Sequence, residues 1–128
     1  MATWTDVTNI MRGISHAERD PAQRRWRVAD RLAVWERPLR KSDLEQLGDA
    51  APEGAILGVR VPMEVKEALV DSKKKAYFTI PHFNGYPAIL VHLPSIRVAE
   101  LRGFLKSACA EPVKAPARRA SSRPRRKP

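Results

Sequence analysis

YFTIPHFNGYPAILVHL, residues 77–93, is the stretch that decides the fold. Two runs rich in aromatic and β-branched residues, 77–80 and 88–93, flank the linker Pro81-His82-Phe83-Asn84-Gly85-Tyr86-Pro87. Such residues suit a pleated, half-buried surface, so both runs are predicted strands. Asn84-Gly85 supplies positive φ at little steric cost, which lets the chain reverse. Pro81 and Pro87 lack the amide that a central ladder needs, so pairing is expected to weaken at the reversal. The stretch reads as a long-tipped antiparallel hairpin with an aromatic, histidine-bearing tip.

Working outward, residues 55–61 read as a strand that Arg60 interrupts, and Pro62 suits the opening of a helix. In that helix Met63, Lys66, Leu69 and Val70 share a face. Ser42-Asp43-Leu44-Glu45 has the form of a capping box, and Gly48 can close the short helix it starts. Residues 24–28 alternate, with Trp26 and Val28 on one side and Arg25 and Arg27 on the other. Residues 32–36 read as their partner through Ala29-Asp30-Arg31, Leu32 and Val34 facing one way, Ala33 and Trp35 the other.

At the amino end Val7, Ile10, Met11 and Ile14 follow helical spacing behind a cap at Thr5 or Asp6, and residues 15–23 read as a polar connection. A last helix is predicted over about residues 96–110, with Val98, Leu101, Leu105 and Ala108 on its core face and Phe104 beside them. The order is α-β-β-(short α)-β-α-β-β-α. This is an α+β domain over residues 1–112, with an antiparallel-rich sheet of about five strands and flanking helices.

A chain of 128 residues is long enough for one modest core. Its single cysteine, Cys109, permits no internal disulfide, and no Cys/His spacing reads as a zinc site, so neither metal nor cofactor is expected. The opening MATWTDVTNIMRG lacks a basic region followed by an apolar run, and no stretch approaches the length of a spanning helix. A soluble, cytoplasmic protein with no membrane partner is the expectation.

The net charge of +10 is unevenly placed. Seven of the 24 cations lie from Val113 onward (Lys114, Arg118, Arg119, Arg123, Arg125, Arg126, Lys127), together with none of the 14 acids. The body keeps 17 cations and a net +3. Residues 113–128, rich in proline, serine and arginine, bring too little apolar mass to offset their ordering entropy and read as a disordered basic tail.

These cations point to DNA or another polyanion, because Lys and Arg on phosphates release condensed counterions. A second set, Arg24, Arg25, Arg27, Arg31, Arg37, Arg40 and Lys41, lies on the first two strands and just after them. A β-ribbon with alternating cations can lie along a groove. The competing reading is a solvated face whose arginines pair with Asp30, Glu36 and Asp43. Lys73, Lys74 and Lys75 read as an exposed loop or a further phosphate contact.

The tip, His82, Phe83, Asn84, Gly85 and Tyr86, can stack on bases, or fold back so that Phe83 and Tyr86 fill the core edge and His82 bonds a backbone carbonyl. His92, among apolar neighbours, reads as a hydrogen-bonded core or edge histidine. No serine or cysteine stands in a recognisable nucleophile setting, so the chain is not expected to be an enzyme; the remote alternative uses His82 as a base. The alternative to DNA binding is a protein- or ligand-binding adaptor that presents Trp26 or Trp35, its tail serving only solubility.

FTIPHFNGYPAILVHL, with WERPLRKSDLEQLG at residues 35–48 and ILGVRVPMEVKEAL at 56–69, resembles the MmcQ/YjbR-like family of small bacterial proteins. The resemblance covers roughly residues 7–110, and its most specific part is the PHFxGYP tip. It implies a helix-flanked antiparallel sheet in a double-wing DNA-binding arrangement. Asn84 stands where that family commonly has aspartate, Ala29-Asp30 where it has a Gly-Lys turn, and Ser107-Ala108-Cys109 where a tryptophan often falls.

Overall fold

A computed structural model of the chain describes residues 1–20 and 23–110. The expected tail, with its seven cations, lies outside the described residues. Among the described residues four helices and six strands form an α+β domain: α1 (Trp4–Arg12), β1 (Ala17–Arg19), β2 (Arg25–Val28), β3 (Arg31–Glu36), α2 (Lys41–Leu47), β4 (Ile56–Arg60), α3 (Met63–Asp71), β5 (Tyr77–Phe78), β6 (Ala88–His92) and α4 (Val98–Ala110). The sheet is antiparallel throughout, in the order β1-β2-β3-β4-β6-β5.

Period-two alternation sorts β4 and β6 between two cores. Leu57, Val59, Ile89 and Val91 face a large cluster that α1 closes with Val7, Ile10 and Met11, and α4 with Leu101, Leu105 and Cys109. Ile56, Ala88 and Leu90 face the opposite way, into a smaller cluster with Ile80 and Phe83. Both central strands are therefore buried on both faces, and their sequences, ILGVR and AILVH, run nearly continuously apolar. Burial pushes the Cys109 thiol up to about 11, as suits a small core residue.

Several local expectations need correction. The polar connection before β2 contains β1, a sixth strand, whose Ala17 lies opposite Val28. Its three residues carry too little alternation to signal a strand, and edge pairing to β2 supplies what propensity does not. The cap of α1 is Thr3: its side chain receives the Asp6 amide at 3.3 Å while the Asp6 carboxylate receives the Thr3 amide at 2.9 Å. In α2 the carboxylate that caps the opening turn belongs to Asp43, which accepts the Arg40 amide at 2.9 Å; the box expected at Ser42 and Glu45 does not form there.

Leu32 and Val34 do not share a face. A bulge between Trp26 and Arg27 sets Val34 opposite Trp26 but Leu32 opposite Arg27, leaving Ala33 as the extra residue. Ala33 and Val34 both join the large cluster. The turn before β3 is two residues long, Ala29 and Asp30 at φ 52° and 65°, so Arg31 already belongs to the strand.

The hairpin at 77–93 forms, but its first strand stops at Phe78. Ile80 turns into the smaller cluster, and Pro81–Phe83 winds into a 3-10 turn. The reversal follows: Asn84 is extended at φ −61°, Gly85 alone takes positive φ, 76°, and the Tyr86 amide donates to the Phe83 carbonyl at 3.0 Å. This is a type II turn, whose third position suits glycine. Asn84 therefore does not supply the left-handed residue that its pairing with Gly85 suggested.

Gly58 lies opposite Trp35. A Cβ there would sit 2.6 Å from the Trp35 ring, so the missing side chain is what lets the indole lie across β4. We predict that Gly58→Ala lowers the unfolding free energy in urea by about 1–3 kcal/mol, the usual cost of overpacking. An unchanged urea midpoint would contradict this packing.

Candidate functional site

The tip and α2 cover only part of the sheet face opposite α1 and α4. Between them and β2–β3 lies an open groove of about 1000 Å³. Leu32 and Trp35 of β3 line it, with Phe83 and Tyr86 from the tip. Arg19, Arg24, Arg25, Arg37 and Arg40 also line it, with Glu36 as a carboxylate among them and His82, exposed, at the tip side. The groove is thus walled by aromatic rings and edged by guanidinium groups.

The arginines are not equivalent. Arg37 is buried, 7 % exposed, and donates to the Pro38 carbonyl and, at 3.2 Å, to Asp43, with its guanidinium 5.7 Å from the Phe83 ring. It braces the groove rather than offering charge to a ligand. Arg24 lies 4.9 Å from the Trp4 ring and pairs with Glu36 at 3.3 Å, both half-open to solvent, an ion pair worth little. Arg25 is half-buried on β2; Arg40 is exposed at the start of α2. For Asp43, burial raises the carboxyl, but the Arg40 amide and then the Arg37 charge outweigh it, and its pKa falls below the ordinary 3.8.

The tip is held by a residue the sequence places on an apolar helix face. Lys66 of α3 is buried, 5 % exposed, and its ammonium donates to the Phe83 carbonyl and, at 2.8 Å, to that of Tyr86. Burial lowers its pKa from the ordinary 10.5. Arg60 makes a second tie, donating to the Tyr86 hydroxyl at 2.7 Å and the Leu32 carbonyl at 3.0 Å, and lies 5.3 Å from the Tyr86 ring. Of the two conformations open to the tip, the folded-back one is adopted for the rings, Phe83 buried and Tyr86 half-buried, while Asn84 and Gly85 stay exposed; His82, expected to bond a backbone carbonyl, is instead exposed beside the Phe83 ring, 6.0 Å between centroids.

Arg24, Arg25, Arg37, Arg40, His82, Phe83 and Tyr86, seven residues singled out in the sequence, thus meet at one groove. Arg27 is exposed on the Arg25 side of β2, Lys41 is exposed beside Arg40, and Arg31 is exposed where β3 begins. Lys73, Lys74 and Lys75 do not join them. They precede β5, four strand spacings or about 19 Å from β2. Lys74 there faces Glu100 of α4 at 3.7 Å. His92, half-buried at the end of β6, is hydrogen-bonded as expected, to Ser95 and the Glu53 carbonyl at 2.6 Å each.

Arg19, Arg60 and Lys66 were missed. Arg19 lies on the strand that was itself missed. Lys66 left a trace in its position among Met63 and Leu69, a lysine where an apolar residue is expected. Arg60 left a similar one, interrupting the apolar run of β4.

Among proteins compared with the chain, Uncharacterized protein Rv2570 of Mycobacterium tuberculosis (strain ATCC 25618 / H37Rv) is 50 % identical over 113 residues, covering 84 % of this chain and 86 % of that protein. Uncharacterized protein Mb2600 of Mycobacterium bovis (strain ATCC BAA-935 / AF2122/97) shows the same identity and coverage. The chain belongs to the family of these mycobacterial proteins. No family model and no solved structure matches it. Among the described residues no helix is long and apolar enough to cross a membrane.

The folded pKa of Asp43 lies below its unfolded value, so its contribution to stability is present above about pH 4 and is lost as pH falls through the folded pKa. Asp43→Asn is expected to cost about 3 kcal/mol at neutral pH, since Arg37 is left buried without its counter-charge, and to flatten the acid limb of stability against pH. For Lys66 the lowered pKa makes stability rise with pH between the folded value and 10.5, where the unfolded chain binds more protons. Lys66→Met is expected to abolish that rise and to lower stability at neutral pH by about 1–3 kcal/mol, because two carbonyls lose their donor. Urea titrations across pH check both; wild-type profiles in either variant would count against these roles.

Proposed function

We propose that this protein is a non-catalytic DNA-binding protein whose groove-side arginines contact phosphates. The observation that carries this reading is the gathering of Arg19, Arg24, Arg25 and Arg40 around one aromatic-walled groove, although they come from three separate points in the chain. Arginine is the fitting cation, since its planar fork meets phosphate oxygens in pairs and stacks on rings. Arg27, Arg31 and Lys41 extend the positive surface beyond the groove, and the basic stretch from Val113 onward adds sequence-independent attraction. The resemblance of the tip to the MmcQ/YjbR-like family and its double-wing arrangement supports the same reading. Phosphate contacts position a protein on its ligand but do not read sequence, so this surface gives affinity with little base selectivity.

The adaptor reading needs Trp26 or Trp35 presented to a partner, but Trp26 is buried in the large cluster, and Trp35 is partly exposed only among the groove arginines. Among the described residues the exposed large apolar side chains other than Met1, namely Leu44, Val65 and Val70, lie on α2 and α3, while the groove is edged with guanidinium groups, and this favours a polyanion.

Fluorescence anisotropy of labelled DNA against salt tests the proposal. Replacing Arg25 and Arg40 with alanine is expected to weaken binding and to reduce the salt slope by up to about 1.8, at about 0.9 per lost phosphate contact. Removal of residues 113–128 is expected to reduce it further. Equal binding by full-length and shortened chains would remove the tail from the account, and absence of binding at low salt would overturn the proposal.

A further inference from the structure

We infer that the groove receives unpaired bases of a single-stranded nucleic acid, one of them stacked on Trp35; this rests on the phosphate-binding reading above and goes beyond it. Trp35 is only partly buried, and its indole lies across Gly58, where any side chain would collide with it. The ring is therefore seated on the sheet and loses little freedom when a ligand covers it. Tyr86 stands in the same groove with its hydroxyl held by Arg60. Seated aromatic rings with arginines along the rim are what a strand with splayed bases requires: π-faces for the bases, cations for the phosphates between them. A duplex offers base edges, not base faces, and its stacked interior cannot reach such a ring unless a nucleotide is extruded. The groove, about 1000 Å³ and open, exceeds what one small ring needs, and its several rim arginines match successive phosphates rather than a lone nucleotide.

The test uses the full chain and three labelled ligands of equal length: oligothymidylate, the same phosphodiester strand without bases, and a duplex. The baseless strand carries the same phosphates, so every contribution from the tail and the rim cancels in the comparison with oligothymidylate. The base-bearing single strand is expected to bind about tenfold more tightly than the baseless strand, as one base–aromatic stack provides, and more tightly than the duplex. Trp35→Leu is expected to remove that preference and Trp35→Phe to keep most of it, thermal melting reporting whether each variant folds. Equal binding of the two single strands, or a preference for duplex, overturns this inference and leaves the phosphate-binding reading standing. Binding to none of the three at low salt overturns both. Competition by free thymidine monophosphate or by polyglutamate as effective as the oligonucleotide also overturns it, assigning the groove to a nucleotide or to an acidic peptide.

Discussion

The buried ammonium of Lys66, donating to the carbonyls of Phe83 and Tyr86, ties α3 to the tip of the central hairpin. Taking a charged group out of water costs several kcal/mol unless its donors find acceptors. The two carbonyls are therefore not free to swing away without stranding the cation. Because Pro81 and Pro87 cannot extend the ladder, the tip needs such an anchor: its 3-10 turn and its type II turn give it shape, and Lys66 gives it a place.

That anchor decides how the second face of the sheet is divided. Beneath the tip, Ile56, Ile80, Phe83, Ala88 and Leu90 close a small core. Toward β2 and β3 the cover ends, and the groove begins at the rings of Trp35 and Tyr86. The rigidity of the groove comes from polar ties at its boundaries, Arg60 at one side and the Arg37–Asp43 pair at another. Two of the arginines first seen as candidate contacts are thus engaged within the protein: Arg37 deeply, Arg24 lightly through Glu36. A partly self-neutralised basic face is what remains, with Arg25 and Arg40 as its more available members.

Much of this architecture is legible in the amino-acid order. The apolar runs of β4 and β6, the spacing of Val7, Ile10 and Met11, and the alternation of β2 each follow from one local rule that tertiary packing leaves intact. The failures have definite causes. β1 is a polar edge strand that forms because β2 offers a partner, and a partner lies outside any local window. The bulge that turns Leu32 away from Val34 is one extra residue, and period-two counting cannot foresee it. At Asn84-Gly85 either residue can adopt positive φ, so the choice between them waits on the 3-10 turn before them. The groove itself shows only as a coincidence of types, arginines near 24–40 and aromatics near 82–86, because their meeting depends on β3, β4 and β6 standing side by side.

The account comes down to whether a nucleic-acid strand lies on the Trp35 side of the sheet. Titrating isotope-labelled protein with oligothymidylate and following the tryptophan indole N–H resonances answers this directly, since Trp26 is buried in the large cluster while Trp35 lines the groove. The account predicts that the Trp35 indole and the amides of Arg25, Arg40 and Tyr86 shift together while the Trp26 indole stays in place. Shifts confined to the helix-covered face, or to residues 113–128 with Trp35 unmoved, would contradict it.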